Sequence, residues 1–480
     1  MIVDQQQFSE KENILMRLLA DEYGIHGTLT KLPGENDNFL IEQPDGKRYV
    51  YKLANVFESA DFLTLEQLAV ETLAAADLGL NLPLHVRTKK GMIESVSAVL
   101  DRGPTIRGRL LEFVDGKPWF EAGAATEGQR LDLGRRLAQI TSILATVNHP
   151  AIQRSHRWDL TKAAAHHQNI SMVESGSRRA LLEQTFLLYN AGALPFLGAL
   201  PHSLIHSDLN DENLLVTEGR ISGLLDFGDC LSNPTICELA IALAYVLLDE
   251  PDPFTAGAQI LASYHELRPL QVSELEVLFP LICGRLAVSL TVAAERRLID
   301  PDRSDWFVHE GRAWKALEYY MTVDPLTAAR QLASGTDLNV FSDHSGDILH
   351  EELLKQWQFH FSNALSLSYD EPLTFVRGNA QFLYDDRQRP YLDLYNNVCH
   401  VGHCHPRVAA AGYEQMQRLN TNTRYLYHGL TEYAQRLCKT LPSDLQFCFF
   451  VNSGTEANEL ALRLAQVHTG QKDLLVMDGA

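Results

Sequence analysis

His206-Ser207-Asp208-Leu209-Asn210-Asp211-Glu212-Asn213, followed by Leu225-Asp226-Phe227-Gly228, is the stretch whose reading decides the fold. Both are polar loops set among short apolar pieces, Ser203 to Leu209, Asn213 to Thr217 and Gly223 to Phe227, which read as brief strands. The pattern H-x-D-x-x-x-x-N and then D-F-G places a carboxylate, a carboxamide and a second carboxylate on neighbouring loops. Loops carried by short strands can hold reactive groups in place and still leave them hydrated.

Upstream of that stretch, Phe39-Leu40-Ile41 and Val50 to Leu53 alternate like paired strands across the turn residues Pro44-Asp45-Gly46, which predicts a hairpin ending at Lys52. Thr64 to Leu80 has apolar residues at helical spacing (Leu65, Leu68, Ala69, Thr72, Leu73, Ala76) and stops at Gly79, shortly before Pro83. Helical periods then dominate Leu131 to Leu144, Ser177 to Leu188, Ala240 to Leu248, Ser273 to Arg297 and Trp306 to Thr322. The middle of the chain is therefore expected to be a helical lobe.

Phosphoryl transfer needs a carboxylate to take the acceptor proton, metal ligands bridging the phosphates, a cation for the nucleotide phosphates and a cover against water. Asp208 can take the proton, while Asn213 and Asp226 can hold Mg2+. Lys52 can reach phosphates from its strand end; Glu71 on the next helix is its expected ion-pair partner and Glu66 the less favoured alternative. Gly34-Glu35-Asn36-Asp37-Asn38 has a single glycine, a poor glycine-rich loop, but Asn36 and its neighbours could cap phosphates. A lone lysine on a strand or a lone Asp-Phe-Gly would mean little, whereas this order and spacing carry weight.

With these residues in hand, HSDLNDENLLV followed by GLLDFGD resembles the signature of the aminoglycoside phosphotransferase and choline kinase superfamily, over residues 20 to about 325. The resemblance implies an α+β, protein-kinase-like bilobal fold, with a small lobe at about 1–110 and a helical lobe at about 111–333. It implies that Asp208 is the catalytic base, that Asn213 and Asp226 bind Mg2+ and that Lys52 holds ATP phosphates. It also makes Leu111-Glu112-Phe113-Val114 the hinge beside adenine, with Glu112 and Val114 as ATP contacts. Members of that superfamily phosphorylate antibiotics, choline, ethanolamine, homoserine, hydroxylysine and sugars, so the family leaves the acceptor open. Asp229 and Glu238 could attract a substrate ammonium, or could equally be a helix cap and a surface charge.

Composition bounds the rest. At 480 residues the chain exceeds one ordinary core and should divide into two or three domains. A formal charge of −20 disfavours nucleic acid and anionic membranes as partners, since phosphate surfaces call for basic patches. The N-terminal MIVDQQQFSEKENILMRLLADEYGI lacks a basic, then apolar, then small-residue order, and the longest apolar stretch, around Ala240 to Leu248, falls short of a span of about 20 residues. A cytoplasmic location is the expectation. The cysteines, at 230, 237, 283, 399, 404, 438 and 448, are odd in number and scattered, so reduced thiols are expected.

A polar stretch, Ser334 to Gly346, predicts a linker at 334–346 between the helical lobe and a second domain at 347–480. That domain should contain a helix from Ile348 to Leu365, strands around Phe375 and Tyr391, and a strand-turn-helix from Phe447 to Val467. In the last of these, Ser453, Gly454 and Thr455 open a helix whose free N–H groups suit a phosphate. The Cys399-His400-Val401-Gly402-His403-Cys404-His405 cluster has soft ligands that zinc could recruit, given about four on a suitable scaffold.

TFVRGNAQFLYDDRQRPYLDLYNNVCHVGHCHP, LNTNTRYLY and FVNSGTEANELALRLA together resemble the N-terminal part of class III aminotransferases that bind pyridoxal phosphate (PLP), especially their ethanolamine-phosphate and phosphohydroxylysine phospholyases. This implies a truncated α/β PLP-transferase segment of fold type I, with Ser453, Gly454 and Thr455 gripping the cofactor phosphate and the Cys/His cluster serving as a substrate-side loop. In that family the stacking aromatic, the Schiff-base lysine and the aspartate at the pyridine nitrogen follow later than Ala480, so the PLP site is expected to be incomplete in this chain, with a homodimer expected where the domain is complete.

The fusion points the first domain toward the hydroxyl of a small amino alcohol, such as hydroxylysine, ethanolamine or 1-amino-2-propanol, whose phosphate ester a phospholyase would then eliminate. The alternatives are an aminoglycoside-type or homoserine-type kinase, or a non-catalytic nucleotide-binding module regulating an aminotransferase.

Overall fold

The computed structural model describes residues 12–32, 37–53, 60–97, 106–154, 156–303, 306–338, 340, 350–362, 364, 365, 367, 369–379, 381–385, 390–396, 398–422 and 424–477. Asn36, with most of its expected phosphate-capping loop, lies outside the described residues, as does 341–346 of the expected linker. The chain forms two compact units, Met1–Ala411 and Gly412–Ala480.

The first unit opens with an antiparallel sheet in the order β1 (Thr28–Lys31), β2 (Asn38–Glu42), β3 (Arg48–Leu53), β6 (Ile106–Glu112) and β4 (His85–Val86), with β5 (Glu94–Ser97) also on β6. The expected hairpin is β2 and β3, in the register Phe39↔Tyr51, Leu40↔Val50 and Ile41↔Tyr49. Its turn uses Gly46 in the left-handed region that glycine enters without steric cost. Phe39, Ile41, Tyr51 and Leu110 bury one face of this sheet against Leu15, Leu18 and Leu19.

Helix α1 (Ala60–Ala75) follows, burying Leu65, Ala69, Val70 and Leu73 at the spacing read from the sequence. It ends before Gly79, because Asp77 already has a left-handed backbone. Full burial of each Leu or Val stabilises by about 1.5–3 kcal/mol.

The helical lobe contains α2 (Glu127–Leu144), α3 (Gly176–Gly192), α4 (Ile236–Val246), α5 (Pro253–Leu267), α6 (Val272–Ile299), α7 (Glu310–Tyr320) and α8 (Pro325–Ala333). Thr126 caps α2 by accepting from the Gln129 N–H while Gln129 accepts from the Thr126 N–H, a reciprocal capping box. Within α2, Gly134 lets α5 approach closely: a β-carbon there would lie 2.1 Å from the Ile260 carbonyl oxygen. Helix α4 is buried on every side, and α6 is buried along most of its length.

Helix α6, and not the segment around Ala240 to Leu248, is the longest apolar element among the described residues. It is long and apolar enough to cross a membrane, yet 89% of its most apolar window is buried inside the protein. Such a helix is the apolar spine of a lobe with helices packed around it.

Between the helices run short antiparallel pairs: β8 (His202–Ile205) with β11 (Leu231–Pro234), and β9 (Leu214–Thr217) between β7 (Lys117–Pro118) and β10 (Arg220–Leu224). The turns between β8 and β9 and after β10 are the two polar loops on which the sequence reading began.

The first unit continues through α9 (His350–His360) and a sheet in the order β12 (Phe375–Asn379), β13 (Phe382–Asp385), β14 (Pro390–Leu392). In the Cys/His stretch His403 bonds Asp393 at 2.6 Å, and no group of three or more metal-ligating side chains gathers among the described residues. Helix α10 (Pro406–Arg418) crosses the unit boundary; the second unit adds α11 (His428–Cys438) and α12 (Gly454–Thr469). Phe447 to Val451 is not a strand, contrary to expectation: a strand needs a ladder, none runs beside this segment among the described residues, and Phe447 is 91% exposed.

Candidate active site

Lys52 is the last residue but one of strand β3, and its Nζ donates to Asp226 Oδ1 at 2.8 Å. Asp226 itself sits where β10 gives way to the Asp-Phe-Gly turn, in a left-handed backbone conformation with its carboxylate accepting from the Gly228 N–H. Burial alone would raise this carboxyl, but Lys52, the Gly228 N–H and His206 more than offset it and hold it well below the ordinary carboxylate range. A cation and an ionised carboxylate thus stand side by side.

The loop after β8 is held from within. Asn210 Oδ1 accepts the N–H groups of Glu212 and Asn213, folding the loop back on itself. Asn213 Nδ2 donates to both the carbonyl and Oδ2 of Asp208, each at 2.8 Å. Its amide nitrogen is thereby committed, and its oxygen is the atom that could serve a cation. His206 accepts the Asp208 N–H at Nδ1 and donates from Nε2 to the Leu225 carbonyl at 2.9 Å, which ties this loop to the Asp-Phe-Gly turn. Burial pushes the His206 imidazole down to about 4, so the ring is neutral, as that donor and acceptor pattern needs.

The loop is also held from outside. Glu238 on α4 is fully buried and accepts the N–H groups of both His206 and Ser207. Ser207 has φ 70°, in the left-handed region, and this turns the two N–H groups toward one carboxylate. Asp211 accepts from Arg312 of α7 at 3.0 Å, and its other oxygen lies 3.3 Å from His309 Nδ1. Arg285, from the middle of α6, reaches Asp208 Oδ1 at 2.8 Å. Burial raises the Asp208 carboxyl, as do Asp229 and Asp226, while Arg285 pulls it down.

Two expectations change. Glu238 does not face a substrate; α4 is enclosed on all sides, so its carboxylate supports the loop backbone, and burial raises it to about 8. Glu71 does not pair with Lys52. It is five residues from Glu66, about 140° around the helix at roughly 100° per residue, and points outward to Gln67 and Arg87. Glu66 turns inward instead and pairs at 2.6 Å with Arg109, the residue directly across from Lys52 on β6.

The remaining positions are as follows. Asp229 Oδ1 lies 3.1 Å from His156 Nε2; burial raises the carboxyl and pushes the imidazole down to about 4. Glu112 and Val114 lie where β6 runs out, the Glu112 N–H bonded to the Leu84 carbonyl and the Val114 side chain buried. In the second unit Ser453 caps α12 by accepting the Glu456 N–H, beside an Asn452 N–H that donates to Glu456, and Gly454 and Thr455 form its exposed first turn.

Arg285, Arg109, Asn210 and His309 were missed. The Asn-x-x-Asn spacing of 210 and 213 was a legible signal for Asn210. Nothing local in α6 or β6 announced the two arginines, since their partners are distant in sequence.

Lys52, Asp208, Asn213 and Asp226 are thus brought together by polar contacts, Lys52 on Asp226 and Asn213 on Asp208, with His206 joining the two loops. Residues 366–479 match the model of class-III aminotransferases. A mouse (Mus musculus) hydroxylysine kinase is 27% identical over 59% of this chain and 81% of its own length. An alanine–glyoxylate aminotransferase 2-like protein of Drosophila melanogaster is 46% identical over 27% of this chain and 26% of its own length. An ethanolamine-phosphate phospho-lyase homolog of Caenorhabditis elegans is 40% identical, over 27% of this chain and 28% of its own length. This chain thus spans about a quarter of those two aminotransferase-type relatives. Residues 28–271, half of the chain, match the model of the phosphotransferase enzyme family, and the chain belongs to that family.

Proposed function

We propose that residues 1–333 are an ATP- and Mg2+-dependent kinase that phosphorylates the hydroxyl of a small amino alcohol. The observation that carries this is the contact chain Lys52–Asp226 and Asn213–Asp208, each at 2.8 Å. The residues fit the groups: Mg2+ takes one or two protein ligands and draws the rest from phosphates and water, so Asn213 and Asp226 suffice in number. Bound there, the metal would neutralise charge on the phosphates.

Lys52 would hold nucleotide phosphates, with Glu66 and Arg109 fixing the strand and helix beside it. The end of β6, at Glu112 and Val114, would meet adenine. Asp208 would accept the acceptor hydroxyl's proton as the oxygen attacks the γ-phosphorus. Asp229, already oriented by His156, would face the acceptor's ammonium.

The amino-alcohol acceptor is supported by the hydroxylysine kinase relatives and by the fused segment. We assign 334–346 as a linker and 347–480 as the N-terminal part of a PLP-dependent aminotransferase or phospholyase domain. Ser453, Gly454 and Thr455 at the start of α12 suit the cofactor's phosphate, since first-turn N–H groups and hydroxyls are anion donors. PLP would supply an electron sink for elimination of the phosphate that the kinase installs. A complete domain of this kind would assemble as a homodimer, in the cytoplasm.

The test is detection of phosphorylated product by mass spectrometry, with ATP and a panel of hydroxylysine, ethanolamine, 1-amino-2-propanol and an aminoglycoside. Transfer to an amino alcohol, abolished by Asp208→Ala with ATP binding retained, is the expected result. Transfer to the aminoglycoside alone would overturn the acceptor assignment.

A further inference from the structure

Arg285 is 2% exposed, in the middle of α6 among Leu281, Ile282, Leu286 and Val288. A guanidinium in such surroundings must be matched by donors' partners, because an unmatched buried charge is strongly destabilising. Here each nitrogen has one: Nε donates to the Tyr245 hydroxyl at 3.1 Å, Nη1 to the Trp158 carbonyl at 3.3 Å and Nη2 to Asp208 Oδ1 at 2.8 Å. Its plane also lies over the rings of Trp158 and Tyr245, at 4.8 and 5.4 Å. The fork is held before it meets the carboxylate.

If α6 needed only packing, an apolar side chain of similar volume would serve as well or better. The alternative to packing is visible at Asp208. Its carboxylate turns about the Cβ–Cγ bond, and donors on both oxygens, from different elements, restrain that rotation more tightly than donors on one. Asn213 and Asn210 donate to Oδ2, at 2.8 and 3.2 Å, and Arg285 donates to Oδ1 from another element. A carboxylate offers about four acceptor places. With these three contacts made, the place left is on Oδ1, beside the guanidinium.

Resting on the kinase reading above, we infer that Arg285 is a positioning residue for phosphoryl transfer: anchored by Tyr245 and Trp158, it fixes the plane of the Asp208 carboxylate and directs Oδ1 to the acceptor hydroxyl. Arg285 acts through Asp208 and needs no contact with nucleotide. Its removal should therefore reach kcat and leave nucleotide binding alone.

The experiment uses the full chain with ATP and with 5-hydroxylysine, ethanolamine and 1-amino-2-propanol as acceptors, reading kcat and KM separately. Arg285→Met should lower kcat about 100-fold, the size of effect that a small misplacement of a catalytic group produces, with KM for ATP within about 2-fold. Arg285→Lys, which keeps the charge but not the fork, should recover part of the loss, as should added guanidinium with Arg285→Ala. Tyr245→Phe, a far milder change, should lower kcat about 3- to 10-fold by loosening the anchor.

Unchanged kcat in Arg285→Met overturns the inference, and if that variant does not fold, unchanged kcat in Tyr245→Phe does the same. Equal losses in kcat and ATP affinity, without rescue by guanidinium, reduce Arg285 to a packing role. Wild-type protein that phosphorylates none of the acceptors removes the kinase reading and this inference together, whereas active wild type with indifferent variants removes the inference alone.

Discussion

Lys52 Nζ and Asp226 Oδ1 lie 2.8 Å apart although 174 residues separate them in sequence. One belongs to the sheet lobe and the other to the helical lobe, and Lys52 is among the groups that hold Asp226 ionised. On the proposed function, Lys52→Met should remove both the group that holds nucleotide phosphates and the charge partner of the proposed metal ligand Asp226. A fall of at least about 100-fold in kcat/KM for ATP is expected, about 3 kcal/mol of transition-state stabilisation. Steady-state kinetics check it, and retention of a tenth or more of wild-type activity would contradict it.

The two acidic residues of α1 should behave oppositely. Glu66→Ala removes the carboxylate paired with the buried Arg109 guanidinium, and breaking a buried pair in this way costs about 3–5 kcal/mol. Glu71→Ala trims a half-exposed side chain and should stay within about 0.5 kcal/mol of wild type. Thermal denaturation of the two variants, compared directly, decides which carboxylate matters to the lobe.

Acid should weaken the helical lobe through its neutral histidines. His206 and His156 are both pushed down to about 4 by burial, while an unfolded imidazole titrates near 6.5. Between those values the unfolded chain binds protons that the folded chain refuses, so stability from each ring is fully present above pH 6.5 and is lost as pH falls toward 4. For His206 the window is worth on the order of 3 kcal/mol. The Glu238 carboxyl, raised from 4.5 to about 8, acts in the opposite sense across that range and overlaps the imidazole window, so the imidazole part is isolated by difference. His206→Gln should flatten the dependence of denaturation midpoint on pH between 6.5 and 4 by about one proton. An unaltered slope would mean that His206 is not held neutral.

Gly134→Ala should be costly despite its mild chemistry. The added carbon would lie 2.1 Å from the Ile260 carbonyl oxygen and 2.2 Å from Ser263 Oγ, so α2 and α5 must part. Overpacking of this kind costs about 1–3 kcal/mol, more than the propensity gain of replacing a helical glycine, about 1 kcal/mol. Thermal melting reads the net sign, and a higher midpoint would contradict the close approach.

What the sequence made legible was local. The hairpin at Pro44-Asp45-Gly46, the inward stripe of α1 and the two polar loops follow from turn chemistry and period, which act over a few residues. Asp208, Asn213 and Asp226 were legible because spacing within a loop survives folding unchanged. Pairings across the fold were not: Arg285 meets Asp208 across 77 residues, and whether Glu66 or Glu71 turns inward depends on how α1 sits on the sheet. Glu238 was misread for the same reason, since a carboxylate ten residues beyond the Asp-Phe-Gly glycine could face solvent or the loop until α4 is placed. The segment at Phe447 to Val451 has strand-forming residues, but propensity does not supply a ladder.

The backbone at Ser207 has a bearing on how sequences of this kind can drift. With φ 70° and its N–H bound by Glu238, that fully buried position filters by backbone conformation as well as by size. Glycine and asparagine enter that region readily, serine with some strain, and valine or isoleucine scarcely at all. The letter between histidine and aspartate in H-x-D is thus a restricted one. A degenerate copy of this domain could keep every charged residue of the site and still be betrayed by a β-branched residue at that single place.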